Sequence, residues 1–221
     1  MNLAEKIKEL HASKYKFVIV SSGGGSNAIA SLLKVPGASN TVLEAYIPYA
    51  KESLDFYLMK KPDFYASKDT SLRMAARAYS AAKKIDQESS LNHLLGVSIT
   101  ASLSTTYEKR GDHKFHIALQ TRDFSKSISC KLEKGTRTRE EEEELVTAFV
   151  VNLLAECSEL EYDYPKIPEE VVFDEVKAEK GWAELMSNKI NYVLSEDVSP
   201  GLIFPGAFYP YHDGHKAMKD L

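Results

Sequence analysis

The chain has 221 residues, enough for one large α/β domain, or for a domain of about 150–170 residues with added elements. Charged residues are 27% and hydrophobic residues 43%, as in an ordinary globular protein. The net charge of -4 argues against the basic face that a nucleic acid or an anionic membrane requires. No apolar run approaches the ~18 residues of a membrane-spanning helix. The charged opening MNLAEKIKELHASKYK lacks the apolar core of a signal peptide. Cys130 and Cys157 have no metal-binding spacing and read as reduced thiols of a cytoplasmic protein.

In chain order, Leu3, Ile7 and Leu10 recur at helical spacing and predict a helix over 2–12. The apolar run YKFVIV (15–20) predicts a buried strand. It leads into Ser21-Ser22-Gly23-Gly24-Gly25-Ser26 and then a helix over 27–34, stopped by Val35-Pro36-Gly37. Residues 41–49 read as a second strand, ended or held at an edge by Pro48. An alanine-rich helix is expected over 69–85 with Asp69 as its cap. Three strands follow, over 94–101, 114–121 and 124–132; the last alternates with period two. A long helix over 138–156 is capped by Thr138, and Glu140 to Glu144 read as its solvated start. Residues 156–168 read as an acidic, proline-containing linker. A further helix over 179–194 carries Trp182, Leu185, Met186, Ile190 and Val193, and 202–204 reads as a strand opening something new.

This order predicts an α/β fold: a three-layer α/β/α domain over 1–157, a linker and helix over 158–200, and a separate unit beginning at 201. A strand, a glycine where the backbone can approach a ligand closely, and a helix start near His215 together form a phosphate-handling corner. His212 and His215 are suited to stabilising charge on those phosphates. The segment GLIFPGAFYPYHDGH (201–215) resembles the HxGH nucleotidyltransferases, and more closely those acting on nicotinamide mononucleotide, with the pattern G-[ST]-F-[DN]-P-x-H-x-G-H. Gly206, Phe208, Pro210, His212, Gly214 and His215 match; Ala207 and Tyr209 depart. The resemblance implies that Gly206, His212, Gly214 and His215 bind nucleotide. A complete domain of this kind needs roughly a further hundred residues, so the chain is expected to hold only its first βα corner. ATP and Mg²⁺ are expected only where that domain is complete.

A glycine loop between a strand and a helix is a generic anion cradle or simply a tight turn. Residues 23–28 (GGGSNA) fit neither G-x-G-x-x-G nor a P-loop. The longer run SSGGGSNAIASLLKVPGASNTVLEAYIPYAKESL resembles the CinA C-terminal family of nicotinamide-nucleotide amidases without a gap. Ser22 falls on that family's nucleophilic serine, Gly25 on its first loop glycine, residues 35–39 on its V-P-G turn and Tyr49 on its tyrosine. Residues 96–103 (GVSITASL) fall on its A-V-S-G-I-A-G-P loop, and the likeness spans about 1–157.

The resemblance implies a serine nucleophile assisted by lysine and tyrosine, hence Ser22, Tyr49 and Lys51 as catalytic candidates and Gly23, Gly24 and Gly25 as nucleotide-binding ones. The family's lysine position, however, is Leu54, and Lys51 is expected on a strand or loop with a different heading. A serine without a nearby base is a poor nucleophile. The chain is therefore read as a CinA-like module with altered catalysis, joined to a nucleotidyltransferase in pyridine-nucleotide metabolism. The second reading is a non-catalytic ligand-binding or dimerisation module. The expected partners are a small-molecule nucleotide and a second copy of the chain, with no nucleic acid and no membrane. His93, His113 and His116 read as surface or strand histidines, and Trp182, Tyr162 and Tyr164 as packing residues. No residue set reads as a metal site.

Overall fold

The computed structural model describes residues 2–107, 109–186 and 190–193. Its centre is a six-stranded mixed sheet in the order β2-β1-β3-β4-β5-β6, with β1 Lys16–Gly23, β2 Val42–Tyr46, β3 Leu94–Ser102, β4 His113–Gln120, β5 Phe124–Leu132 and β6 Val171–Lys177. β1 pairs in parallel with both β2 and β3; from β3 onward the pairs are antiparallel. The continuous apolar run of β1 follows from cover on both faces. Phe17 and Ile19 point into one core with Val97, Ile99 and Phe115, beneath α1 (Leu3–His11), α2 (Ser26–Lys34) and α5 (Arg139–Cys157). Val18 and Val20 point into the other, beneath α3 (Lys51–Leu58) and α4 (Lys68–Ile85). The arrangement is a three-layer α/β/α sandwich.

The helix ends follow local chemistry. Asn2 and Thr138 each form a capping box, with Glu5 and Glu141 respectively. α4 starts one residue earlier than expected. Ser67, not Asp69, caps it by accepting the Thr70 N–H, and Asp69 in the first turn pairs with Arg73. α4 lies close on the sheet because Ala75 and Ala78 face it and β3 presents Gly96.

Four expectations change. Residues 51–58 form a helix rather than the strand or loop expected for Lys51. α3 is short, its N-cap Ala50 makes no side-chain bond, and it ends at Met59 with φ 56, so no cap residue announces either end. β6 was not expected either. It lies beyond the boundary placed at 157 and pairs with β5, so the sheet takes its sixth strand from the segment read as linker and helix. The stretch before β6 also packs: Leu160, Tyr164 and Ile167 sit against the first core, and the Tyr164 ring stacks on Phe149 at 5.8 Å. The helix expected over 179–194 is α6, Lys180–Met186, and Trp182 on it is exposed rather than packed. The strand expected at 202–204, with Gly206, His212, Gly214 and His215, lies outside the described residues.

Candidate functional site

β1 delivers the serine–glycine loop to the sheet edge where the parallel strands end. Residues alternate in direction along a strand, so Ser22 follows Val18 and Val20 onto the α3–α4 face, and Ser21 onto the face of α1, α2 and α5. The Ser22 hydroxyl is buried and donates to the Pro48 carbonyl at 2.9 Å, which brings the segment after β2 to it. That segment holds Tyr49, but its side chain is 70% exposed. Lys51, the first residue of α3, places its ammonium 5.6 Å from the centre of the Tyr65 ring. Leu54, on the lysine position of the amidase pattern, is 1% exposed in the second core. The serine hydroxyl is thus spent on a carbonyl, which cannot take its proton.

The three glycines are each held by a different neighbour. Gly23, at φ 80, lies so close to β3 that a Cβ would stand 2.1 Å from the Ala101 carbonyl oxygen. Gly24 donates to that same oxygen at 3.1 Å, and its own face is filled by Leu103, whose Cδ1 would be 2.5 Å from an added Cβ. Gly25, at φ 93, caps α2 and donates its N–H to Glu143 Oε2 at 2.8 Å. Glu143 Oε1 accepts from Arg139 Nη2 at 2.8 Å and Nε at 3.1 Å, and Arg139 also donates to the Ser104 carbonyl. A helix N-terminus attracts a carboxylate as it attracts phosphate. Here the chain's own glutamate takes that place, and Leu103 seals the adjoining space.

The solvated start expected over Glu140 to Glu144 is therefore corrected at two residues. Glu143 turns to the glycine loop. Glu142, fully buried, bonds His113 Nδ1 at 2.9 Å through Oε1 and the Ser104 N–H at 2.6 Å through Oε2. The sequence carried one signal for this: the apolar stripe Val146, Phe149, Leu153 runs back at helical spacing through Glu142. Of the two expected settings, surface or strand, His113 takes the second: it opens β4, buried and paired with Glu142. Arg139 and Pro48 carry no motif, and Leu103, at the end of the GVSITASL run, departs from the pattern there; they act through a guanidinium bridge, a backbone oxygen and bulk. Cys130 and Cys157 are buried free thiols, pushed up to about 11 and about 12 by burial, and so protonated.

His116, on the α4 face of β4, bonds Ser129 Oγ through Nδ1 at 2.8 Å, while its buried Nε2 has no hydrogen-bond partner among the described residues. Burial, aided by Lys114, pushes its pKa down to about 4. The unfolded chain takes up this proton near pH 6.5 and the folded chain refuses it until about pH 4. Stability is therefore expected to fall by on the order of 3 kcal/mol as the pH drops through that window, and to level off below it for this group. Glu169, held down to about 2 first by its bond to Arg137, acts at more acid pH. Urea unfolding at pH 7 and pH 4.5 should show a smaller drop for His116→Asn; an equal drop would contradict this assignment.

Together these features define a three-layer α/β/α protein with a serine–glycine loop at the ends of its parallel strands, closed from within by Pro48, Leu103 and Glu143. Among solved structures, it is similar to the competence/damage-inducible protein CihA from Agrobacterium tumefaciens, at 14% identity and a TM-score of 0.55, over 70% of this chain and 94% of that one. A CinA superfamily protein from Escherichia coli matches at 11% identity and TM-score 0.53, over 68% and 87%. A competence or damage-inducible protein from Enterobacter asburiae matches at 14% and 0.55, over 71% and 96%. No protein-family model and no curated protein matches the sequence. The chain thus has a CinA-like fold. Among its described residues, no helix is long and apolar enough to cross a membrane.

Proposed function

We propose that the CinA-like unit is a non-catalytic relative of the nicotinamide-nucleotide amidases. In this reading it serves as a binding or assembly module beside a nucleotidyltransferase of pyridine-nucleotide metabolism that opens at residue 201. The observation that carries the first half is the pairing of Ser22 with the Pro48 carbonyl while Leu54 occupies the position of the base. General-base activation of a serine needs an acceptor of its proton within hydrogen-bond reach. Glu143 at the Gly25 amide adds to this, since it holds the place a substrate anion would take. The second half rests on the sequence of residues 204–215, with His212 and His215 in the role of phosphate partners.

The test is incubation of the protein with nicotinamide mononucleotide and measurement of released ammonia. No release above the buffer blank is expected, and Ser22→Ala should behave as the parent does. Turnover near that of a median enzyme, about 10 s⁻¹, abolished by Ser22→Ala, would overturn the reading.

A further inference from the structure

In the helix layer formed by α1, α2 and α5, α1 presents Lys6 where its amphipathic pattern calls for an apolar residue. Leu3, Lys6, Ile7 and Leu10 share the face turned to α5. Lys6 is 6% exposed, and its ammonium donates to the Asn152 side-chain oxygen. That oxygen also accepts the Asp163 N–H at 2.8 Å, so both of its acceptor sites are used, and the Asn152 amide nitrogen donates to the Ala148 carbonyl at 2.8 Å. Among the described residues no carboxylate lies within 4.0 Å of the Lys6 ammonium. An ammonium has three donors and no acceptor, and burying it without a counter-charge costs several kcal/mol.

Lys6 and Asn152 form part of the wall of a cavity of about 510 Å³ between α1, α5 and the segment 161–166. That volume lies in the range of small-ligand sites. The cavity's other walls divide by chemistry. Tyr162 is half-exposed, with its ring set edge-on to Tyr164 at 5.5 Å and so held in place. Exposed Glu161, Asp163 and Lys166 complete the rim.

We infer that this cavity binds a nucleoside monophosphate. The phosphate is the counter-charge that Lys6 lacks, with Lys166 as a second cation at the rim. Carboxylates accept hydrogen bonds from a ribose diol, as acidic residues do in dinucleotide sites, and Tyr162 offers a face for the base. A ligand carrying all three groups uses every kind of wall the cavity has; a bare anion uses one and meets two carboxylates as well. The inference uses neither Ser22 nor any residue of 201–221, and stands or falls independently of the function proposed above.

The test is calorimetric titration of the 221-residue chain with adenosine monophosphate, ribose 5-phosphate and inorganic phosphate at fixed salt. Adenosine monophosphate should bind more tightly than ribose 5-phosphate, and inorganic phosphate most weakly. Lys6→Met, which keeps the stem and removes the charge, should weaken adenosine monophosphate at least about tenfold, the worth of a charge-assisted hydrogen bond. Tyr162→Ala, at an exposed position, should bring adenosine monophosphate to the level of ribose 5-phosphate. Absence of binding at millimolar ligand, equal affinity for all three compounds, or full affinity in folded Lys6→Met would each overturn the site.

Discussion

Replacing Gly96 by alanine is expected to destabilise the protein by at least about 3 kcal/mol, which for a chain of this length lowers the melting midpoint by roughly 6–12 °C. Gly96 sits in the middle of β3, where a strand ordinarily prefers a branched side chain. Its Cβ would stand 2.1 Å from the Tyr79 nitrogen and 2.2 Å from the Ala75 carbonyl oxygen. Both are backbone atoms of α4, so no rotamer relieves the contact, and the helix must rise from the sheet as a body. That motion also strains the bonds that tie α4 to β3 and β4: Ser98 Oγ to the Ser71 carbonyl at 2.6 Å, and Ser71 Oγ to the His116 carbonyl at 3.1 Å. The check is thermal and urea unfolding of Gly96→Ala. A midpoint within a degree of the parent's would show that α4 is not held by this approach.

Glu142→Ala is expected to lose about 3 kcal/mol, while Glu142→Gln loses less. Alanine leaves the buried His113 imidazole and the partly buried Ser104 N–H without partners, and an orphaned buried polar group costs about 1–3 kcal/mol. Glutamine keeps an acceptor for one of the two. The loss should also be local. Ser104 opens the loop between β3 and β4, which Lys109 helps close by donating to the Leu103 carbonyl at 2.7 Å. Amide exchange at Ser104 should accelerate in Glu142→Ala far more than exchange within α4. Equal stability of the parent and Glu142→Ala, or acceleration spread evenly over the fold, would show that the carboxylate is not what anchors this loop.

The elements with strong periodicity were legible before any coordinates. β5 agrees over its whole length, β3, β4, α2 and α5 agree within one residue at each end, and β1 runs three residues past its expected end at Val20, to Gly23. Residues such as Val146, Phe149 and Leu153 on α5 place themselves by spacing alone. α3 and β6 were not legible for the opposite reason. In α3, Leu54, Tyr57 and Leu58 meet the second core at helical spacing, but this is a single turn with Phe56 exposed beside it, and β6 is a largely exposed edge strand. The neighbourhood of Ser22 was legible in outline. The meeting of Ser22 with the segment before Tyr49, and the leucine in place of a lysine, follow from one gap-free comparison of patterns. The closing of the loop was not. It depends on a glutamate more than a hundred residues away reaching the Gly25 amide, and on Leu103 filling the face of Gly24. Such long-range pairings leave no local mark, because side chains at those positions are chosen for each other and not for their neighbours in sequence.

β1 is hydrogen-bonded on one side to β2 and on the other to β3, whereas residues 47–93 separate those two partners in the chain. During synthesis at ~5–20 residues per second, the ribosome therefore releases the segment FVIV several seconds before its second neighbour exists. One long edge of an apolar strand then stands open to any passing backbone. α4 emerges within that interval and is able to cover one face of β1, but a helix on a face does not occupy an edge. The nascent chain is thus at its most adhesive between the appearance of β2 and the completion of β3, and a holdase chaperone acting on this protein has its natural target in residues 16–23 during that interval.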